Sequence, residues 1–249
     1  MGNSADDTAG NLAVTFASAN TTADATVTIT GGAGNDTLTG NAGTDIIAGG
    51  AGADSISGEA GNDALTGGEG ADTITGGLGN DNINLAETVA AADRVVFANI
   101  AANNGVDAIT GFTTGTGGDV LDFSAFTAAA GALNATVFSE NPGGVATVLA
   151  NGAAVRLVDI AGGNDITTAA GLLDALNAGG EFANINANGD AAADTIVFLT
   201  AATAAATTFN VFYATAVATS SEFASVVLVG TVTASGALGT LHADNFILT

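Results

Sequence analysis

Lysine, cysteine and tryptophan are absent from these 249 residues, and proline, tyrosine and histidine occur once each, as Pro142, Tyr213 and His242. Each gap excludes something. Arg94 and Arg156 are the only bases, too few for the positive stripe that neutralises phosphates, so no nucleic acid is expected as a partner. An anionic lipid surface would repel the chain for the same reason. Without cysteine there is no disulfide framework, no thiolate metal cluster and no thiol chemistry. Long apolar runs are also missing. Ala201 to Ala218 comes nearest, and its threonines, Asn210 and Tyr213 dilute it, so no membrane span is expected. The first 20 residues hold Asp6 and Asp7 and no base, which argues against a cleavable N-terminal signal.

What is present is acid, glycine and small apolar side chains. The 25 acidic residues leave a formal charge of −23, and the 36 glycines are about twice ordinary usage. Acidic disordered chains are poor in apolar residues, whereas 47% of this one is apolar. A thin core of small side chains in repetitive layers is expected, together with something that neutralises the charge.

From residue 31 to residue 84 the chain divides into six nine-residue units without a gap: GGAGNDTLT, GNAGTDIIA, GGAGADSIS, GEAGNDALT, GGEGADTIT and GGLGNDNIN. Position one is always glycine (Gly31, Gly40, Gly49, Gly58, Gly67, Gly76), as is position four (Gly34, Gly43, Gly52, Gly61, Gly70, Gly79). Position six is always aspartate (Asp36, Asp45, Asp54, Asp63, Asp72, Asp81), and position eight is always leucine or isoleucine (Leu38, Ile47, Ile56, Leu65, Ile74, Ile83). A flexible linker would explain the glycines but not six aliphatics in phase with six aspartates.

The glycines permit positive φ and close backbone approach, so six residues can make a tight turn. The triplet after each aspartate alternates polar, apolar, polar and predicts a very short strand with its aliphatic residue inward. Two units return the chain to its starting side. Stacked 18-residue coils then make a right-handed parallel β-roll, with one aliphatic file along each wall.

Strands about 4.7–4.9 Å apart bring the aspartates into two ladders, Asp36–Asp54–Asp72 and Asp45–Asp63–Asp81. Like charges at that spacing repel. Calcium, with oxygen ligands at about 2.3–2.6 Å, fits between rungs and reverses the interaction, with carbonyls of the turn glycines completing its shell. About four bracketed sites follow, with partial sites at the ends. Magnesium fits less well, because it wants a smaller octahedral shell and retains its waters.

These units resemble the GGxGxD nonapeptide calcium-binding repeats of the RTX (haemolysin-type) family. The resemblance implies a calcium-dependent β-roll, ligation by the six repeat aspartates, and export by type I secretion machinery under an uncleaved C-terminal signal. It covers 54 of the 249 residues. Two units depart at position two, where Asn41 and Glu59 stand for glycine. Asparagine tolerates the left-handed region well and glutamate less readily, so the Glu59 turn is expected to be the weaker.

Residues 1–30 are expected to cap the roll, with the alternating stretch Thr26 to Thr30 adding a strand below the first coil. Leu85 to Ala92 reads as a short helix or loop. Strand-like runs then open near Asp93, Asp107 and Asp119. The stretch Gly105 to Ser124 resembles the segment that closes the roll in RTX proteins, including serralysin-type domains. Asp107, Asp119 and Asp122 are either further calcium ligands or solvated strand-end acids. In residues 125–249, Asn151-Gly152 predicts a hairpin between Val145–Leu149 and Val155–Asp159. Asp165 to Asn177 reads as an amphipathic helix presenting Leu172, Leu173 and Leu176. Strands are expected at Thr195–Leu199, Phe209–Ala214 and Phe223–Val232. The end from His242 to Thr249 resembles the tails of type I secretion substrates, and similar tails occur in alphaproteobacterial surface-layer proteins.

Catalysis finds no purchase. One histidine excludes H-E-x-x-H, no G-x-S-x-G elbow occurs, and a phosphate-binding loop of the Walker type lacks its lysine. The expectation is therefore an all-β, non-enzymatic protein. It would be secreted, fold on calcium after export, and self-assemble at the cell surface as an S-layer-like lattice or filament. The alternative is a monomeric secreted export or binding module, or an adhesin. An ice-binding face would need a regular outward threonine ladder, and position seven reads Thr37, Ile46, Ser55, Ala64, Thr73, Asn82.

Overall fold

A computed structural model of the chain describes residues 15–17, 26–97, 105–127, 147–148, 154–158, 166, 168–176, 185–186, 195–201, 205–216, 223–237, 241 and 245–247. The strands of the repeat region are β1 (Thr15–Ala17), β2 (Thr28–Gly32), β3 (Thr37–Asn41), β4 (Ile46–Ala51), β5 (Ser55–Ala60), β6 (Ala64–Glu69), β7 (Thr73–Leu78) and β8 (Asn82–Asn84). Beyond it come β9 (Arg94–Val96), β10 (Asp107–Phe112), β11 (Val120–Asp122) and a short helix, α1 (Ser124–Thr127). The C-terminal part holds β12 (Thr147–Val148), β13 (Ala154–Val158), α2 (Ala169–Leu176), β14 (Ile185–Asn186), β15 (Thr195–Ala201), β16 (Thr208–Ala216), β17 (Phe223–Ala234) and β18 (Phe246–Ile247).

Successive repeat strands fall alternately on two walls. One sheet runs β1-β3-β5-β7-β9-β11-β18, the other β13-β15-β16-β17-β10-β8-β6-β4-β2. Pairing within the roll is parallel, with each repeat residue opposite the one 18 further on, as in Leu38, Ile56 and Ile74. This is a parallel β-roll.

Position eight forms the core. On one wall Leu38, Ile56, Ile74, Val95, Leu121 and Phe246 stand in register. On the other, Ile29, Ile47, Leu65, Ile83, Ile109 and Val232 do the same. All are buried, and each contributes about 1.5–3 kcal/mol through lost water contact. Both files run past the last nonapeptide. The spacing that sustains them is an aspartate two residues before an apolar one, at Asp93/Val95, Asp107/Ile109 and Asp119/Leu121.

The repeat strands are longer than the triplets expected from alternation. Most span five or six residues, because the chain stays in ladder contact through the following glycines, with Gly32 opposite Gly50 and Gly50 opposite Gly68. A Cβ on Gly50 would overlap the Gly32 carbonyl, so this contact depends on side-chain-free backbone. At position two Glu59 takes φ 76°, the left-handed turn expected for it, whereas Asn41 is not among the positive-φ residues. Asn41 instead closes its turn with its side chain, whose Oδ1 accepts the Gly43 N–H at 2.6 Å.

After the repeats, larger side chains take over the slot of the first glycine. Leu85, Phe97 and Phe123 each follow a roll strand and are buried, and the two phenylalanine rings stack at 4.6 Å. β17 then pairs parallel with β10 and antiparallel with β16, so the C-terminal sheet grows directly from one wall. A second apolar cluster gathers Leu172 and Leu176 of α2 against Phe198, Phe212 and Phe223.

Among the described residues, the strands on either side of Asn151-Gly152 pair elsewhere. β13 pairs parallel with β15 over five residues, and β12 pairs parallel with β14. Asn151 and Gly152 themselves lie outside the described residues, as do Asp165 and His242. Among the described residues, no helix is long and apolar enough to cross a membrane.

Candidate metal centre

Each repeat aspartate sits at the mouth of a strand, fixed there by its own backbone. The Asp36 carbonyl accepts Ser55 N–H, Asp45 accepts Ala64, Asp54 accepts Thr73 and Asp63 accepts Asn82, all at 2.8 Å. The side chains then bridge coils. The Asp36 N–H donates to Asp54 Oδ1 at 2.7 Å and the Asp54 N–H to Asp72 Oδ1 at 2.8 Å. On the opposite wall Asp45 donates to Asp63 at 2.7 Å and Asp63 to Asp81 at 2.8 Å.

The ladders continue where the nonapeptides do not. Asp72 N–H reaches Asp93 Oδ1 at 2.9 Å, Asp93 N–H reaches Asp119 Oδ1 at 3.0 Å, and Asp81 N–H reaches Asp107 Oδ1 at 3.1 Å. The nine aspartates of the two files are at most 5% exposed.

One oxygen of each accepting carboxylate is thereby used, and the other is the informative one. Oδ2 of Asp54, Asp63, Asp72, Asp81 and Asp93 is buried without a hydrogen-bond partner. A buried ionised oxygen left that way is costly. Around it the first-position glycines form a cradle. A Cβ on Gly49 would overlap both Asp54 Oδ2 and the Gly67 carbonyl, and one on Gly58 would overlap Asp63 Oδ2 and the Gly76 carbonyl. Gly31 and Gly40 stand in the same way to Asp36 with Gly49, and to Asp45 with Gly58. The fourth-position glycines stack backbone on backbone. The Gly34 carbonyl lies beneath Gly52, that of Gly43 beneath Gly61, Gly52 beneath Gly70 and Gly61 beneath Gly79.

An orphaned carboxylate oxygen beside a backbone carbonyl, in a space that no side chain enters, suits a hard cation with oxygen ligands. Among the described residues, no three His, Cys, Asp or Glu side chains converge on one point. A cation in these gaps would therefore draw much of its shell from carbonyls, as calcium tolerates.

Burial acts on the ladder acids as expected for groups lacking a counterion. It pushes Asp63 up to about 7, eased by the Asp45 N–H and worsened by the charges of Asp81 and Asp45. Burial likewise takes Asp72 and Asp81 to about 6, Asp93 to about 7 and Asp107 to about 8, and it raises Asp54.

Two rungs accept an N–H on each oxygen, which leaves each oxygen a further lone pair. Asp45 Oδ2 accepts Asn41 N–H at 2.7 Å while Val27 N–H takes Oδ1, and Asp119 Oδ2 accepts Thr113 N–H at 2.6 Å. Asp122 is committed elsewhere. Its Oδ2 takes the Arg94 guanidinium through Nε at 2.7 Å and through Nη2, and its Oδ1 takes Ser124 N–H. Asn245 plugs the turn below β18, donating to the Asp119 carbonyl at 2.7 Å and accepting from Gly115 N–H at 3.0 Å. Neither Asn41 nor Asn245 was legible as a partner of these acids, because each reaches an aspartate's turn through contacts that only folding creates.

The haemolysin-type family model, described as the RTX calcium-binding nonapeptide repeat (four copies), matches residues 28–56 and 49–83. Those residues are RTX repeats, an element that binds calcium, and their number suits several ions. No curated protein matches the chain.

Proposed function

We propose that this RTX repeat protein is an extracellular structural protein that folds when it meets calcium and then self-assembles at the cell surface, as an S-layer-like lattice or filament. The observation that carries the reading is the double file of buried aspartates with unpartnered Oδ2 atoms. Ligation is assigned to Asp36, Asp45, Asp54, Asp63, Asp72 and Asp81, with carbonyls of the turn glycines completing each shell. Calcium, when bound, supplies two positive charges per gap. The chain's own residues do the rest. The Oδ1 hydrogen bonds hold each carboxylate in place, and the glycines keep the gap clear of side chains.

In a calcium-poor cytoplasm the ladders repel, and the chain stays extended for export by type I machinery. Outside, calcium reverses the sign. Assembly draws support from the terminal strands of the two sheets among the described residues, β1 and β2 at one end and β13 and β18 at the other, since edge strands invite further pairing. The second reading, a monomeric secreted export or binding module or adhesin, draws on the continuation of both walls into β17 and β18, which covers one end of the roll.

The test adds millimolar calcium to the purified full chain, then EGTA, and follows size by electron microscopy and light scattering. Sheets or fibres that form with calcium and dissolve with EGTA support assembly. A folded monomer at high concentration overturns it in favour of the second reading.

A further inference from the structure

The gap above the turn Gly67–Asp72 differs from the four repeat gaps below it. In those, the first-position carbonyl of the next coil lies beside the cradle, at Gly49, Gly58, Gly67 and Gly76. At Gly67, as at Gly76, the three atoms nearest a Cβ all belong to the unit's own aspartate, Asp72 or Asp81, and no carbonyl of the next coil is among them. What sets the Gly67 gap apart is the chain above it, which leaves the strand ladder after β8 and rejoins it at β9. Asp72 Oδ2 is left buried and unpartnered, facing that space.

A side chain reaches back in. In the lower coils the fourth-position N–H donates to a backbone carbonyl 17 residues on, as Gly52 does to Glu69 at 2.8 Å and Gly61 to Leu78 at 2.7 Å. At Gly70 the partner is the Glu87 carboxylate, whose Oε2 accepts at 3.2 Å while Oε1 accepts Ala91 N–H. The excursion is pinned from the other side by Glu69, which accepts Thr88 N–H at 2.8 Å and the Thr88 hydroxyl at 2.6 Å. Those bonds hold Glu69 below its ordinary value. Asp93 closes the gap from above, with Oδ1 on Asp72 N–H. The charge of Glu87 also adds to the upward push on Asp72, Asp93 and Asp119, after burial as the main cause.

We infer that Glu87 and Asp72 form an additional calcium site outside the nonapeptide motif, roofed by Asp93, in which a side-chain carboxylate replaces the missing turn carbonyl. It rests on the calcium reading of the repeats. A charged carboxylate in place of a neutral carbonyl gives the ion more negative charge than a repeat gap does, so the site fills at the lowest calcium concentration and locks the last regular coil to the segment that follows.

The test counts bound calcium by native mass spectrometry on the full chain, with far-UV circular dichroism at saturating calcium as the folding check. Glu87→Gln keeps an acceptor for Gly70 and removes the charge, and it should bind one ion fewer than the wild type. Glu69→Gln loosens the same excursion without touching the gap, and it should keep the wild-type count. An unchanged count in Glu87→Gln overturns the inference, as does an equal loss in Glu69→Gln, which would make Glu87 a loop fastener. If Glu87→Gln does not fold, Asp72→Asn reads the gap from its other side. Loss of two ions, one from the gap between Asp54 and Asp72 and one from this site, supports the site, and loss of only one overturns it. A wild type that binds no calcium would instead sink the reading of the repeats.

Discussion

Replacing Asp63 by asparagine should change the sign of its effect with calcium. Asparagine keeps an oxygen for the Asp45 N–H, bonded at 2.7 Å in the native ladder, and places an NH2 near the Gly76 carbonyl. Without calcium this relieves a buried anion. Burial lifts Asp63 from 3.8 to about 7, which at 1.36 kcal/mol per pH unit is ~4 kcal/mol against the ionised form at pH 8. Solvent screening at the edge of the roll reduces this to about 2 kcal/mol. With calcium the balance reverses. One ion at about 1,000 times its dissociation constant stabilises the fold by roughly 4 kcal/mol, and the variant forfeits it while keeping the relief. Asp63→Asn should thus be about 2 kcal/mol more stable than the wild type in EGTA and about 2 kcal/mol less stable in excess calcium. Urea unfolding followed by far-UV circular dichroism at pH 8 reads both, with sucrose in the EGTA series to hold a folded baseline. The same sign in both conditions would refute the reasoning, since Asp63 would then be a plain hydrogen-bond acceptor.

Other perturbations follow from the same geometry. The ladder acids are raised in the calcium-free fold, so that fold binds more protons than the unfolded chain. Its stability is full below the ordinary carboxylate range and is lost as pH rises through about 6 to 8. In EGTA the roll should therefore show its circular dichroism signal at pH 4–5 and lose it by pH 8–9, and the opposite order would contradict the ladder. Gly49→Ala leaves every carboxylate in place but puts a methyl group against Asp54 Oδ2 and the Gly67 carbonyl. It should bind one calcium fewer by native mass spectrometry, and a full complement would mean that the ion does not use this cradle. Glu59→Gly removes the left-handed glutamate at φ 76° and should raise stability in calcium by roughly 1 kcal/mol. A lower melting temperature would show that the 3.1 Å contact from the Ser57 hydroxyl to Glu59 matters more than the strain.

The regular part of the roll was open to reading because its rules are local and repeated. Glycine at positions one and four, aspartate at six and an aliphatic at eight imply a turn, a rung and an inward side chain. The pairing of Leu38 with Ile56 and Ile74 is their direct result. Strand length was underestimated, since extended glycines carry no side-chain pattern to betray them. The pairing of β13 with β15 carried no local signal, because it joins strands about 40 residues apart.

By itself, then, the sequence determined a parallel roll of two aliphatic files and two aspartate ladders, because a nine-residue period leaves the backbone little other choice. Only the tertiary structure decided where that pattern ends. The ladders run on to Asp93, Asp107 and Asp119 because β9, β10 and β11 stack in register on the last repeats, although the turn before Asp93 has no glycine and those before Asp107 and Asp119 keep only part of the signature, with Gly105 and Gly117 at position four. Asp45 also takes the Val27 N–H and Asp119 the Thr113 N–H, and Asp122 is given to Arg94. Glu87 is brought to the Gly70 N–H by an excursion that no periodicity announces. Those assignments depend on contacts between residues far apart in the chain or outside the period, and packing alone creates them.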